Sequence, residues 1–332
     1  MAYDVVCIGN AIMDLIANVD EEFVSSNGFA RGGMTLVDGA EARRRRSMVE
    51  IAATAPGGSV ANTAACLASL GSRVAFVGKV GRDSLGSLFA DGMHELGVHF
   101  FCDNAHEDID TASCLAVVTP DGERTMSTYL GACVHLAPED IPADAIANAK
   151  VVFIEGYLLD SPSSSAAVEH AVRIAEGSGT RVAITLSDAA CVARHRERFA
   201  ELSQRCYILI ANEKEIAEFR GTSGGAEAAI RTIPESLISV VTRGKDGATV
   251  EQHGSVDHAR AVPVERIVDL VGAGDAFAAG FLHAHVSGDT HRDALTVGAK
   301  CAAIIIQGQG ARPSVRLRDA VYPHLDDKRV FA

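Results

Sequence analysis

Asp269-Leu270-Val271-Gly272-Ala273-Gly274-Asp275-Ala276-Phe277 places an acid directly behind a Gly-Ala-Gly turn that opens a helix. Small residues there let backbone N–H groups approach an anion closely, and a helix N-terminus adds roughly half an elementary positive charge. The pattern suits phosphate. Asp275 stands one residue past the cradle of Gly272, Ala273 and Gly274. A carboxylate there repels a resting phosphate, yet it can take the proton of a hydroxyl attacking that phosphate. An ordinary Gly-rich turn capped by Asp is the alternative, and this stretch alone does not decide between them.

Working outward, short β-branched runs recur at Val5–Ile8, Val74–Val77, Val151–Ile154, Val182–Leu186, Tyr207–Ile210 and Leu237–Thr242. Ala-rich helical stretches at Ala61–Leu70, Ala166–Ala175 and Ala226–Ile230 separate several of them. This alternation predicts an α/β fold, a mostly parallel central sheet covered by helices on both faces. Two regions, about 10–40 and 100–132, break the rhythm with more Gly, Thr and polar residues. In the second, Thr111–Val118 and Glu123–Leu130 flank the turn Pro120-Asp121-Gly122, a hairpin signal. Both excursions are expected to form a small β-sheet that covers the strand ends as a lid, within a single domain spanning 1–332.

Composition narrows the function. The net charge of −13 argues against nucleic acid as a partner, because backbone binding depends on Lys and Arg. The run Arg43-Arg44-Arg45-Arg46, with Glu41 and Glu50 nearby, reads as a solvated helix face. No apolar run approaches the ~20 residues that cross a bilayer, and the start Met1–Gly9 reads as a buried strand. No membrane partner and a cytoplasmic location are the expectations. Eight dispersed cysteines without a Cys-x-x-Cys pair read as reduced core residues. Neither a Walker A loop nor a Gly-x-Gly-x-x-Gly after the first strand is present, which removes the main support for a P-loop enzyme or a dinucleotide oxidoreductase.

Four further segments carry candidate chemistry. Gly57-Gly58 introduces a helix whose Ala61, Ala64, Ala65 and Ala68 share one face, with Gly71 as its stop. Asn62 in its first turn offers an amide to a hydroxyl, or is merely a local cap. Asp14, in Gly9-Asn10-Ala11-Ile12-Met13-Asp14, follows the first strand and can accept from two adjacent hydroxyls, or serve a turn. Asn212-Glu213-Lys214-Glu215 ends another strand with oxygen ligands of the kind that Mg²⁺ and nucleotide phosphates favour, or is a charged helix start. The loop from Thr242 through Gly244 to Gly247 combines a hydroxyl, Arg243, Lys245 and flexible backbone, a candidate γ-phosphate contact.

Together, Gly57–Gly71 and Asp269–Leu282, with the two loops between them, resemble the signatures of the PfkB family of carbohydrate and nucleoside kinases. The resemblance implies a ribokinase-like three-layer α/β/α fold and an ATP- and Mg²⁺-dependent phosphotransferase. It implies that Asp275 is the catalytic base over an anion hole of Gly272, Ala273 and Gly274 amides. It assigns Asp14, Gly57, Gly58 and Asn62 to acceptor hydroxyls, Asn212, Thr242, Gly244 and Gly247 to ATP, and Glu215 to Mg²⁺ through water. A monovalent cation such as K⁺, with Asp269 as its ligand, is a further implication, although Leu270 stands where the family usually has Thr. Gly9–Asp14, Arg124–Leu130 and Glu155-Gly156-Tyr157 look closest to the adenosine-kinase-like branch. Strand periodicity puts Met126, Thr128 and Leu130 on one face, a candidate apolar contact for a base above the ribose. A nucleoside acceptor, adenosine first, is therefore expected, with ribose, fructose or 2-keto-3-deoxygluconate, or a non-catalytic nucleoside sensor, as alternatives. Lids of this kind allow either a monomer or a homodimer.

Overall fold

Buried β-branched runs and small-residue helices assemble as the alternation predicts. The computed structural model describes residues 2–102, 106–221 and 234–323, so the expected helix at Ala226–Ile230 lies outside the described residues. Its fourteen strands are β1 Val5–Ile8, β2 Ile12–Asn18, β3 Met34–Leu36, β4 Ala53–Gly57, β5 Val74–Val77, β6 His99–Phe101, β7 Ala112–Val118, β8 Arg124–Tyr129, β9 Val151–Glu155, β10 Arg181–Thr185, β11 Ile208–Asn212, β12 Ile238–Thr242, β13 Ala248–Gln252 and β14 Ser255–Ala259. Nine form the main sheet in the order β14-β13-β12-β11-β10-β9-β1-β5-β6. It is parallel from β6 through β12, and its last two pairs are antiparallel.

Alternate residues of each strand serve opposite cores. On one face Val5, Cys7, Phe76, Phe153 and Ile210 pack with the helices Ser59–Leu70, Ser84–Glu95, Ala273–Val286 and His291–Ile305. On the other, Val6, Ile8, Val152, Ile184 and Leu209 pack with Pro162–Ser178, Ala189–Ser203 and Glu213–Arg220. The α/β three-layer architecture is thus as expected. The first core holds the two helices that carry Asn62 and Asp275, and the small side chains of each let them pack directly on one another.

The remaining strands form the second sheet, in the order β3-β8-β7-β2-β4. Its hairpin β7–β8 is where the Pro120-Asp121-Gly122 signal put it, with Gly122 at φ +86°. The first excursion, however, runs on to Gly57, because β4 closes the edge beside β2. Alternation alone missed β4, whose Ala-Thr-Ala-Pro-Gly sequence has no strand signature. The Arg-rich run also differs from its expectation. It does form a helix, Gly39–Ser47, but Arg45 is buried beneath the second sheet, only 8% exposed. Its guanidinium donates to Glu41 at 2.6 Å and to Ser127 Oγ at 2.6 Å, and lies 4.5 Å from the centre of the Phe29 ring. Arg43 and Arg44 remain exposed partners of Asp110 and Glu41. Among the described residues no helix is long and apolar enough to cross a membrane.

Candidate active site

The C-terminal ends of β10, β11 and β12 meet the N-terminus of the helix Ala273–Val286, the edge at which open parallel sheets bind ligands. Thr185, Asn212 and Thr242, from these strand ends, line one polar cavity with Ser59, Gly274 and Asp275. Asp275 sits in the first turn of its helix. Its Oδ1 accepts from Ser59 Oγ at 2.7 Å and its Oδ2 from Asn62 Nδ2 at 3.2 Å. Burial raises its pKa to about 6, against the lowering effect of those two hydrogen bonds. The carboxyl is therefore an anion at neutral pH, yet basic enough to accept a proton.

The glycines around it have distinct causes. Gly272 caps the helix at φ +78°, and a Cβ there would stand 2.5 Å from Ala311 Cα, so its smallness admits the C-terminal loop. Ala273 N–H is bonded to Leu270 O at 3.3 Å, whereas a Cβ on Gly274 would meet open space. Gly274 is thus the open part of the cradle. A Cβ on Gly57 would fall 2.3 Å from Asp14 Oδ2, and one on Gly58, at φ +95°, 2.2 Å from Asn10 O. These two glycines let the strand carrying Asp14, and Asn10 just ahead of it, approach the start of the helix Ser59–Leu70.

Asp14 is not at the end of a main-sheet strand, as its sequence context indicated, but within β2 of the second sheet. Pairing registers set it in a row across that sheet with Cys114, Thr128 and Leu36. Met126 lies two residues along the same face, and Leu130 lines, with Leu36 and Thr128, a lid-side cavity of about 320 Å³. Burial raises the Asp14 pKa to about 6, opposed by the nearby charges of Arg312 and Arg124.

Asn212 and Glu215 form a reciprocal capping box at the start of the helix Glu213–Arg220. Asn212 Oδ1 accepts from the Lys214 and Glu215 N–H groups, and the Glu215 carboxylate accepts from Asn212 N–H at 2.9 Å and from its Nδ2. Burial pushes Glu215 up to about 7. Beyond Thr242 the chain turns through Gly244 at φ +54° and Gly247 at φ +92°. There it borders a second cavity of about 430 Å³, largely apolar, walled by Val262, Ile267, Leu270, Phe277 and Ile306. The two cavities share Thr242 and Gly274. The first is lined mostly by polar residues and the second mostly by apolar ones, a division that suits a triphosphate and its base. Leu270 is 66% exposed and faces the apolar side, so the departure from Thr extends that wall.

The chain matches the pfkB family of carbohydrate kinases over residues 2–317. It belongs to that family. A solved adenosine kinase from Sinorhizobium meliloti is 40% identical, with a TM-score of 0.88, covering 97% of this chain and 99% of that one. A probable sugar kinase from Rhizobium etli CFN 42 is 38% identical, with a TM-score of 0.89 and the same coverage, 97% and 99%. A 5-dehydro-2-deoxygluconokinase from Shouchella clausii (strain KSM-K16) is 30% identical over 75% of this chain and 80% of its own length. The protein is thus a PfkB kinase with the ribokinase-like fold, and relatives on both the nucleoside and the sugar side.

For a PfkB kinase, ATP with Mg²⁺ is implied, and the polar cavity supplies oxygen donors that fit a hydrated magnesium–phosphate group. Among the described residues no cluster of three His, Cys, Asp or Glu could cage a metal alone. A monovalent cation on Asp269 does not fit. That carboxylate accepts from the Arg124 guanidinium at 2.8 Å, from Gly310 N–H at 2.9 Å and from Val271 N–H at 3.1 Å, all donors. Arg124 is a lid residue, so this ion pair also ties the lid to the segment ahead of Asp275.

Two residues bonded to Asp275 or Asn62 carry no role from sequence: Ser59, within Gly57–Gly71, and Arg312, beyond Asp269–Leu282. Glu155, at the end of β9, accepts from Asn10 N–H at 3.2 Å, Asn10 Nδ2 at 2.9 Å and Val60 N–H at 3.3 Å, and burial raises it to about 7. The acid closing a buried strand was the available signal for Glu155.

Proposed function

We propose that this kinase transfers the γ-phosphate of ATP to the 5′-hydroxyl of adenosine, giving AMP and ADP. The observation that carries the reading is the row Asp14–Cys114–Thr128–Leu36 across the lid. One carboxylate serves the ribose hydroxyls, and beside it the same face turns apolar, with Leu36 59% and Met34 55% exposed. A free sugar has hydroxyls all round and gains nothing from that surface, whereas a planar base does. The likeness to the S. meliloti adenosine kinase supports the same acceptor.

In this reading the adenine of ATP occupies the apolar cavity, beside Gly244 and Gly247, and its phosphates the polar one, with Thr242 at the junction. Bound Mg²⁺ offsets the charge on the phosphate oxygens, and Glu215 and Asn212 are the residues that would reach its water shell. Asp275 takes the proton of the 5′-hydroxyl as its oxygen bonds the γ-phosphorus and the bond to the ADP oxygen breaks. The open N–H groups at Gly274 and the helix N-terminus stabilise charge on the transferred group. Asp14 orients the ribose.

The test is ADP release from ATP·Mg²⁺ with adenosine, other nucleosides, ribose, fructose, 2-keto-3-deoxygluconate and 5-dehydro-2-deoxygluconate in parallel. Adenosine is expected to give the highest kcat/KM. A free sugar or sugar acid that outperforms it overturns the nucleoside reading while leaving the kinase intact.

A further inference from the structure

The loop after the helix His291–Ile305 is fastened at two points to the segment that precedes Asp275. Gly310 N–H donates to Asp269 Oδ2 at 2.9 Å, and Ala311 fills the space that a Cβ on Gly272 would occupy. The next residue, Arg312, is thereby directed into the space between Asn62, Met93 and the lid. Its Nε donates to Asn62 Oδ1 at 3.4 Å, and its Nη2 lies 3.6 Å from Met93 Sδ. Its charge acts on Asp14, holding that carboxylate down against burial.

The Asn62 amide therefore bridges two groups of opposite hydrogen-bonding character. A guanidinium only donates, and a carboxylate only accepts. With Arg312 on one side and Asp275 on the other, one amide orientation satisfies both neighbours, oxygen to Arg312 and nitrogen to Asp275. A flipped amide would set oxygen against the carboxylate and NH₂ against the guanidinium. We infer that Arg312 is a positioning residue for phosphoryl transfer, fixing the Asn62 amide so that its NH₂ holds the Asp275 carboxylate in place. The inference rests on the reading of Asp275 as the base.

Two features separate this from a stabilising role alone. Arg312 Nη1 is buried without a hydrogen-bond partner among the described residues, an arrangement that costs stability. At 3.4 Å the bond to Asn62 is long for a charge-assisted one, so it contributes direction more than strength. Burial lowers the guanidinium's pKa to about 10, which still leaves it cationic at neutral pH.

The experiment is a double-mutant cycle on the full chain, with kcat read at saturating acceptor so that effects through Asp14 on acceptor binding drop out. Arg312→Met alone is expected to lower kcat by about 10–10²-fold, the scale of a misplaced catalytic group, and to move the acid limb of the kcat–pH profile upward. In the Asp275→Asn background the same substitution is expected to change kcat little, since the group it positions has lost its function. Equal losses in both backgrounds, or an unmoved acid limb, overturn the inference. Arg312→Lys keeps the charge without the planar fork and is expected to resemble Arg312→Met; wild-type turnover in it shows that charge alone matters and also overturns the inference. If Arg312→Met does not fold, Arg312→Lys and Arg312→Gln carry the same cycle, with thermal unfolding as the check on integrity. Near-normal turnover of Asp275→Asn by itself removes the base reading; a dead Asp275→Asn with additive Arg312 effects removes only this inference.

Discussion

Asp275→Asn should lose activity and gain stability together. The carboxylate lies among protein groups and takes two hydrogen bonds, from Ser59 Oγ and Asn62 Nδ2. An asparagine can keep both, its Oδ1 accepting from Asn62 and its NH₂ donating to a rotated Ser59 hydroxyl. The site therefore keeps its shape while losing its proton acceptor, and general-base assistance of this kind is worth about 10²–10⁴-fold in rate. Stability moves the other way. Burial raises the folded pKa to about 6 from an ordinary 3.8. The folded state thus holds a proton that the unfolded chain releases between those values, and stability falls as pH rises through that window. The shift corresponds to roughly 3 kcal/mol at most above pH 6, less where cavity water reaches the carboxylate. Asparagine does not titrate, so the variant should unfold later than wild type at pH 8, with the difference shrinking towards pH 4. ADP release at saturating substrates measures the first effect and thermal unfolding from pH 4 to 9 the second. Turnover within about tenfold of wild type would refute the base assignment. Loss of turnover with reduced stability at pH 8 would show that the variant damages the site rather than its charge.

Two other perturbations probe Asp14 and the buried carboxylate at the end of β9. Asp14→Ala removes a charged hydrogen-bond acceptor facing the acceptor site, a loss of about 1.5–3 kcal/mol, so the acceptor KM should rise roughly 10–10²-fold while the ATP KM holds; an effect confined to ATP contradicts the placement. Glu155→Gln should flatten the pH dependence of stability, because burial raises the glutamate from 4.5 to about 7 and stability falls with rising pH across that interval. The glutamine should be favoured by up to roughly 3 kcal/mol at pH 8 and by little at pH 4, and a variant less stable at pH 8 than at pH 4 relative to wild type would exclude that origin.

What could be read from the chain depended on whether a residue's role is local. Gly57-Gly58 before an Ala-rich helix and Gly272–Gly274 before Asp275 are turns whose backbone requirements are printed in adjacent residues, and the six β-branched runs all became main-sheet strands. Strand alternation likewise placed Met126 and Thr128 on the face that Asp14 shares. The failures are long-range. Arg45 looked solvated because its neighbours are charged, yet Ser127 and Phe29, which bury it, lie far along the chain or across a turn. Asp14 was read at the end of the first strand because its lid strand follows β1 after only three residues, too short a gap to separate the two by composition. Arg124 and Asp269 are 145 positions apart, and no local pattern announces that a lid residue occupies the carboxylate expected to hold a cation.

The proposed reaction divides its work between the two sheets, which would let relatives named as probable sugar kinase and as adenosine kinase share one transfer apparatus. In the proposed reading the transfer groups, Asp275, Gly274, Thr242 and Asn212, stand on helix and strand ends of the main sheet, fixed by the packing of its core. The proposed acceptor contacts are on β2, β3, β7 and β8, a sheet whose outward residues can change without disturbing that core. Arg124 is ion-paired to Asp269 between the two sheets, and Arg312, bonded to Asn62, lies near enough for its charge to act on Asp14. Of the two, the Arg312 contact reaches a residue that is itself bonded to Asp275, so in the inference above it is the route by which charge on the acceptor side bears on the base.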